Sequence, residues 1–377
     1  MGFLYLLKRK SIIFITILII VLYLNLVTRL FERDFETDFD YPLVGNIELF
    51  AEELRNGKPS VEPINNYSYT FNIINKDKCK KNDGFIKPRI VYIVKSAMPH
   101  FERRVAIRST WGYENRFSDV IIKTVFMLGI SLHDEILQEN INKESEKFND
   151  IVQANFIDSY FNNTIKTAMA YRWAVEYCPY SQFYIFMDDD MYASTKNLLS
   201  FIRNPVYYPE YLKRTDETLR MLVHQRKLLT NASSTDLNRS KRQLVDYELP
   251  ADAKLYAGFV YDTYPLRDFG SKWYISLKEY PWNKYPRYVT AGSVVLSNEA
   301  LHVLYYAFYY VKHFRFDDIF IAIAAYKTGI EPLHNGEFLT SHSHFTGSNR
   351  YTLTAHGFGD PEKLIVAWTD ARAAGNA

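Results

Sequence analysis

Between residues 89 and 187 the sequence alternates short apolar runs with longer amphipathic segments. The apolar runs, which are rich in β-branched and aromatic residues, predict strands at 89–95, 120–128, 151–157 and 183–187. The segments between them predict helices at 103–110, 133–149 and 164–177. Parallel strands need a crossover between them, usually a helix. The alternation therefore predicts an α/β fold with a mostly parallel, twisted sheet flanked by helices.

Three consecutive carboxylates, Asp188, Asp189 and Asp190, follow the last of these strands. Adjacent negative charges repel one another, and a divalent cation such as Mg²⁺ or Mn²⁺ removes that cost in an oxygen-rich site. Open α/β sheets bind their ligands beyond the carboxyl ends of the strands. We therefore interpret the triplet as a site for a metal-bound phosphate ligand; the alternative is a solvated acidic turn.

A second acidic pair, Asp317 and Asp318, precedes the apolar segment 319–325, which we predict to be a buried helix. Aspartate at this position commonly caps a helix or compensates its dipole. Alongside a metal site, one of the two carboxylates would serve as a general base that takes a proton from a hydroxyl group. A second, partly buried acid beside it would raise its pKa.

Arg104 and Arg108 lie four residues apart and share one face of the predicted helix 103–110. Guanidinium groups bind phosphate bidentately, so the pair is a candidate nucleotide-binding element; solvated arginines are the alternative. Trp111, which follows the helix, would either stack on a base or pack in the core.

Residues 11–27 carry no charge, and Lys8, Arg9 and Lys10 precede them. No small-residue cleavage site follows, which argues against a cleaved signal peptide. The length and the positive-inside rule predict a single-pass signal anchor with a lumenal body.

Four sequons agree with a lumenal body and are candidate N-glycosylation sites: Asn66, Asn162, Asn231 and Asn238. The only two cysteines, Cys79 and Cys178, allow at most one internal disulfide, and their spacing does not show whether they pair.

Seven motifs, in order, resemble those of the β-1,3-galactosyltransferase family, which includes β-1,3-N-acetylglucosaminyltransferases and the more distant Fringe enzymes. The similarity covers roughly residues 88–360, with His356 where a C-terminal histidine motif is expected. The motifs are residues 104–112 (Arg-x-Ala-Ile-Arg-x-Thr-Trp-Gly), 158–167, Trp173 with Cys178, 186–192, 272–274, 280–288 and 315–322.

The resemblance implies a GT-A-like fold, a single-pass type II Golgi membrane protein, and Mn²⁺-dependent inverting transfer from a UDP-sugar. It implies that Asp188 and Asp190 hold the metal and the diphosphate, with Asp190 the stronger metal-ligand candidate. Asp318 would be the catalytic base, with Asp317 beside it. The implied nucleotide-sugar-binding set is Arg104, Arg108, Trp111, Asp188, Asp189 and Gly292.

Residues 289–294 depart from the family pattern, because Ala291 and Ser293 stand where two glycines are usual around Gly292. Galactose is the favoured donor sugar, and N-acetylglucosamine and N-acetylgalactosamine remain open. The acceptor is expected to be a glycan on lipid or protein. A non-catalytic, lectin-like chaperone of other glycosyltransferases is a further alternative, although it would be expected to lose the metal carboxylates. A metallohydrolase is disfavoured because the histidines are scattered, and nothing indicates nucleic-acid binding.

The sequence divides into five predicted segments. They are a cytoplasmic tail (1–10), a transmembrane signal anchor (11–28), a lumenal stem (29–85), a single catalytic domain (86–361) with a polar surface insertion at 213–250, and a C-terminal tail (362–377) that is a small helix or frayed.

Overall fold

A computed structural model describes residues 2–41, 43–132, 134–229, 249–345 and 350–377 of the chain. The helices are α1 Gly2–Leu30, α2 Phe35–Asp38, α3 Ile47–Arg55, α4 Phe101–Ser109, α5 Glu135–Phe148, α6 Asn163–Tyr177, α7 Thr195–Arg203, α8 Glu210–Leu229, α9 Asn298–Ala307, α10 Asp317–Lys327 and α11 Pro361–Ala373. The strands are β1 Phe71–Ile73, β2 Lys80–Lys81, β3 Gly84–Phe85, β4 Ile90–Lys95, β5 Ile122–Ile130, β6 Ile151–Ile157, β7 Phe183–Asp188, β8 Met191–Ala193, β9 Tyr256–Tyr261, β10 Tyr288–Ser297, β11 Leu333–His334, β12 Phe338–Leu339 and β13 Thr354–His356.

The main sheet has the strand order β1-β6-β5-β4-β7-β10-β9-β11. Its centre, β6-β5-β4-β7, is parallel, as the alternation of strands and helices predicts. β1 pairs antiparallel with β6, and β10 pairs antiparallel with β7, so the sheet as a whole is mixed rather than mostly parallel. A single crossover helix between neighbouring strands predicts that they run parallel. Neither β1 nor β10 is joined to its neighbour in this way, so the sequence did not predict their direction.

The central strand β4 is buried along its whole length, which is typical of a parallel strand covered on both faces. Helix α6 packs against β4, β5 and β6. Local signals set the helix ends. Asp134 caps α5 by accepting a hydrogen bond from the Leu137 amide, and the helix ends at Asn149 in the left-handed conformation.

A smaller sheet, β12-β13-β8, follows the Asp triplet. In it β13 runs antiparallel to β8, with His356 opposite Met191. This pairing places His356, which is distant in the chain, beside the end of β7.

The predicted stem, residues 29–85, is more structured than a spacer. β1 forms an edge of the main sheet, and α3 packs against α9. Cys79 and Cys178 form a disulfide, which settles the pairing that their spacing left open. β1 could not be predicted from the sequence, because a strand of three residues is too short to produce a periodic pattern.

The chain forms two compact units, one of Met1–Gly45 with Tyr261–Tyr288, the other of Asn46–Val260 with Val289–Ala377. In the first unit the indole N–H of Trp282 donates to the Asp38 carbonyl, and buried Arg267 pairs with Glu32. Neither unit begins or ends at residue 86, the predicted start of the catalytic domain.

The remaining predicted segments are a surface insertion, a C-terminal tail and a membrane anchor. α8, which begins three residues before the predicted insertion at 213–250, covers its first part up to residue 229, and residues 230–248 lie outside the described residues. The tail is an ordered helix, α11, which Asp360 caps and which packs against α4. None of the helices within the described residues has both the length and the apolar character needed to cross a bilayer.

Candidate functional site

The Asp triplet forms the turn between β7 and β8, at the carboxyl end of the parallel centre. Asp188 ends β7 beside Lys95, which ends β4. The turn gives each of the three carboxylates a different set of partners.

Asp189 points into the protein. Its carboxylate accepts hydrogen bonds from Ser96 Oγ at 2.7 Å and from Arg103 at 2.9 Å, and it lies 2.7 Å from His100 Nδ1. Burial alone would raise the pKa of Asp189, but the hydrogen bonds from His100 and Ser96 hold it below the usual value. In the structure this side chain anchors the turn to the start of α4, and its predicted role in nucleotide-sugar binding stays a prediction.

Lys95 joins the two acidic motifs. Its Nζ lies 3.0 Å from Asp188 Oδ1 and 2.7 Å from Asp317 Oδ2, and only 4% of its side chain is exposed. Thr167 donates a second hydrogen bond to Asp317 Oδ2, at 2.8 Å. Lys95 is not among the residues predicted for the site, and its one signal in the sequence is its position as the last residue of a buried strand.

The carboxylate of Asp190 faces His356, whose Nε2 lies 3.2 Å from Asp190 Oδ2. The other oxygen, Oδ1, is buried and has no hydrogen-bond partner among the residues that the structure describes. The hydrogen bond to Asp190 raises the pKa of His356. His356 was noted in the sequence only as a motif residue, and its place at the site comes from the pairing of β13 with β8.

The carboxylate of Asp190 suits a cation whose remaining ligands are phosphate oxygens and water. Within the described part of the chain, no group of three or more histidine, cysteine or acidic side chains is placed to enclose a metal ion. Mg²⁺-type ions, however, are usually held by one or two carboxylates together with substrate phosphates and water. The unpartnered, buried oxygen of Asp190 meets that requirement.

Asp317 and Asp318 occupy the first turn of α10, where Phe316 rather than an aspartate is the capping residue. Burial would raise the pKa of Asp317, but pairing with Lys95 holds it low and keeps Asp317 ionised. Burial, and then the negative charge of Asp317, raise the pKa of Asp318 to about 7. Such a pKa suits a general base that works near neutral pH.

Arg104 and Arg108 bind acidic side chains inside the protein, so the predicted contact with a nucleotide is not the contact that the structure shows. Arg104 is fully buried and donates to both oxygens of Glu144, at 2.8 and 2.7 Å. Arg108 donates to Glu144 and to both oxygens of Asp150. Arg104 also donates to the carbonyls of Ala97 and Met98, and so supports the loop after Lys95.

Trp111 is also committed to the core rather than to a base. It is fully buried, its ring meets Tyr92 edge-on, and its indole N–H donates to the Met191 carbonyl.

Gly292 lies on β10, next to Ser293, which pairs with Met187. A Cβ added at Gly292 would lie 3.3 Å from the sulfur of Met191, so this glycine does lie near the triplet turn.

The four sequons differ in exposure. Asn66 is exposed. Asn162 is partly buried, and its side-chain amide donates to the Ile157 carbonyl. Asn231 and Asn238 lie outside the described residues.

Comparison with known proteins gives consistent matches. A family model described as Galactosyltransferase matches residues 102–243 and 237–336. Beta-1,3-galactosyltransferase brn of Drosophila melanogaster is 39% identical over 291 residues, covering 77% of this chain and 76% of that protein. Beta-1,3-galactosyltransferase 1 of Homo sapiens is 27% identical over 317 residues, covering 83% of this chain and 82% of that protein. The human lactosylceramide 1,3-N-acetyl-beta-D-glucosaminyltransferase is 29% identical over 316 residues, covering 80% of this chain and 70% of that protein.

Proposed function

Because this chain belongs to the galactosyltransferase family and is a glycosyltransferase, we propose that it transfers galactose from UDP-galactose to a hydroxyl of an acceptor glycan. The proposed product linkage is β-1,3, formed with inversion. The observation that carries the proposal is the Lys95 bridge, because it brings the acidic triplet at the end of β7 next to the acidic pair of α10.

Asp190, with His356 beside it, would hold Mn²⁺ together with the donor diphosphate. A bound divalent ion would neutralise the negative charge that develops on the leaving diphosphate. Asp188, the other predicted metal ligand, pairs with Lys95 at the end of the strand that leads into the turn bearing Asp190. In this proposal the nucleotide is held by groups other than Arg104, Arg108 and Trp111, because all three are committed to internal partners.

Asp318 is the proposed general base. It would take the proton from the acceptor hydroxyl while that oxygen attacks the anomeric carbon from the face opposite the diphosphate, so one displacement inverts the configuration. Asp317 does not contact the acceptor in this scheme. It stays paired with Lys95, and burial of Asp318, together with the charge of Asp317, keeps the pKa of Asp318 high enough for proton transfer.

Transfer of N-acetylglucosamine is the second candidate, because a similar protein is named as an N-acetyl-beta-D-glucosaminyltransferase. Galactose is favoured because the matching family model and the 39% identical relative both carry that sugar in their names. A non-catalytic, chaperone-like role is disfavoured because all the carboxylates of the site are present.

We also propose the Golgi lumen as the location, with the chain anchored as a type II membrane protein and its acceptor on a glycolipid or glycoprotein. The Cys79–Cys178 disulfide and the exposed sequon at Asn66 support an oxidising, glycosylating compartment. The anchor at 11–28 remains a prediction from sequence.

The proposal is tested by incubating the purified protein with a panel of UDP-sugars, Mn²⁺, and neutral mono- and disaccharide acceptors. We expect transfer from UDP-galactose that stops with EDTA and returns when Mn²⁺ is restored. Asp190→Ala should lower kcat/KM by about a thousandfold.

The matched control is Asp119→Ala. Asp119 is exposed and precedes β5, at the end of the sheet opposite the triplet, so its loss should leave transfer unchanged. Full turnover in EDTA, or full activity of Asp190→Ala, would refute the proposed site.

A further inference from the structure

Large apolar side chains are exposed on the segment between β9 and β10. They are Tyr264, Leu266, Phe269 and Trp273, and each is between 46% and 76% exposed. Soluble proteins rarely leave such side chains grouped at the surface, and a group of them marks contact with a partner or a membrane. We call these four side chains the aromatic surface.

Three of the four belong to one short loop, residues 266–275. The Ile275 amide donates to the Leu266 carbonyl at 2.9 Å, which joins the two ends of the loop. Inside the loop, the rings of Phe269 and Tyr274 stack with their centroids 4.5 Å apart. These contacts hold the exposed side chains close together, so they form one surface rather than scattered apolar positions.

Arg267 fixes this loop to the chain just after α1. Its side chain is buried, and its Nε donates to Glu32 Oε1 at 2.8 Å. Another of its N–H groups donates to the Ile275 carbonyl, at the far end of the loop. Next to Glu32, the Arg33 amide donates to the Pro281 carbonyl at 2.9 Å. The loop is therefore held by residues that follow the end of α1 by two or three positions.

Helix α1, in the same compact unit, indicates which partner covers such a surface. Residues 11–20 are all exposed, and all of them except Ser11 and Thr16 are apolar. Ten consecutive residues turn almost three times around a helix, so this part of α1 has no polar side to face water. Helices that are apolar all round are buried in a protein core or in lipid, and no core encloses these residues within the described part of the chain. Lipid is therefore the partner that fits α1.

The path of the chain limits the distance between the loop and that lipid. Glu32 follows the predicted span 11–28 by four residues, which reach at most about 14 Å. The headgroup region on each side of the hydrocarbon core is itself about 5–8 Å thick. Because Glu32 contacts Arg267 directly, the loop lies within reach of the headgroups.

The side chains of the aromatic surface suit this depth. Tryptophan and tyrosine are enriched where a membrane meets water, because their rings are apolar at one end and polar at the other. Lys272 Nζ lies 4.4 Å from the centroid of the Trp273 ring. A lysine in this position can pack its methylene groups on the ring while its ammonium group stays among headgroup phosphates.

We propose that the aromatic surface contacts the headgroup region of the bilayer that α1 enters, so that the loop 266–275 forms a second membrane contact of this chain. The inference rests on the membrane anchor put forward under the proposed function. It does not involve the acidic residues of the transfer site.

Trp273 is the probe in the test. It is the only exposed one of the five tryptophans, all of which the structure describes. The full-length chain is reconstituted in phosphatidylcholine nanodiscs, with and without phosphatidylcholine that carries a nitroxide on its headgroup. We expect the nitroxide lipid to quench the tryptophan fluorescence of wild type, and Trp273→Phe to reduce that quenching by about threefold or more. Equal quenching in wild type and Trp273→Phe overturns the proposal.

Phe269→Asp tests the surface as a whole, because moving a carboxylate out of water is costly. We expect this variant to reduce the lipid quenching of Trp273 by about threefold or more. The matched control is Ile136→Asp on α5, since Ile136 is 75% exposed and Phe269 is 76% exposed. The control should quench as wild type does. No fall in Phe269→Asp, or an equal fall in both variants, overturns the proposal.

Alkaline carbonate extraction of membranes that hold the wild-type chain tests the anchor separately. If carbonate releases the chain, the anchor fails, and lipid quenching of Trp273 after the chain is added to nitroxide-lipid vesicles decides the role of the surface. If the chain stays in the membrane but Trp273 is not quenched by lipid, the anchor stands and this inference fails. None of these readouts depends on sugar transfer, so they remain valid if the proposed reaction fails.

Quenching by acrylamide from the water identifies the other possible occupant, a second copy of this chain. Protection of Trp273 from acrylamide that increases with protein concentration, without quenching by lipid, would show that a second copy covers the aromatic surface. That result overturns the proposal. Protection that appears only when lipid is present supports it.

Discussion

At the scale of single residues, the site depends on how neighbouring carboxylates are kept in different protonation states. Asp317 stays ionised because Lys95 pairs with it. That charge adds to the effect of burial on Asp318, which therefore holds its proton up to about pH 7. Adjacent acids on one helical turn thus take different roles, one fixed as an anion and the other able to exchange a proton.

The pKa of Asp318 predicts a pH dependence of transfer. A general base acts as the carboxylate, so kcat/KM should fall about tenfold per pH unit below pH 7 and level off above it. Asp318→Asn should lower kcat by about 10³-fold and remove this dependence while leaving UDP binding intact. The measurement is the pH profile of wild type and variant, with calorimetric titration of UDP. Loss of UDP binding in the variant would contradict the assignment.

The same variant should also be more stable at high pH. The folded-state pKa of Asp318 is raised above the unfolded value, so ionising it costs folding free energy as pH rises through 4 to 7. Asparagine does not ionise, and we expect a higher Tm for Asp318→Asn than for wild type at pH 8 and little difference at pH 4. Equal Tm values at pH 8 would mean that ionising Asp318 does not cost the folded protein free energy.

At the scale of elements, ion pairs fix α4 to its neighbours. Arg104 and Glu144 join α4 to α5, and Arg108 adds Asp150 at the start of β6. Arg104 also supports the loop between Lys95 and α4, and Arg103 of the same helix donates to Asp189, so α4 contacts both the loop after β4 and the triplet turn. Arg104 and Arg108, whose spacing suggested phosphate binding, therefore stabilise the packing of the elements around the site.

Arg104→Met should be strongly destabilising. It leaves the buried carboxylate of Glu144 with one fewer partner, and breaking a buried pair typically costs about 3–5 kcal/mol. Urea denaturation measures the loss. The double variant Arg104→Met with Glu144→Gln should recover part of it, because the excess buried negative charge is removed while Arg108 keeps Asp150 as its partner. Unchanged stability together with weaker UDP binding would instead restore Arg104 as a nucleotide ligand.

At the scale of the whole molecule, segments distant in the chain complete the body around the sheet. β1 adds an edge to the main sheet, α3 packs on α9, and a disulfide joins Cys79 to Cys178, across 99 residues. Residues 46–85 of the predicted stem therefore belong to the same compact unit as the centre of the sheet. The loop that the disulfide closes is long, which favours a large effect on the unfolded chain.

We predict that a fragment of residues 86–377 is less stable than one of residues 31–377. The shorter fragment lacks β1, α3 and the disulfide, and loss of a native disulfide alone typically costs about 2–5 kcal/mol. Thermal unfolding of the two fragments measures the difference. A reduced sample of the longer fragment separates the disulfide from the packing of β1 and α3, and equal Tm values for the two fragments would show that residues 31–85 are a true spacer.

The sequence by itself determined the parallel centre of the sheet and the acidic residues at its end. Strand and helix periods, and the position of the Asp triplet after an apolar run, are local properties of the chain. Only the tertiary structure decided which carboxylate faces which partner. Lys95 reaches Asp317 across 222 positions, and His356 reaches Asp190 because β13 pairs with β8. Burial and charge pairing depend on such long-range contacts, so local patterns alone could identify the acidic residues of the site but not their roles.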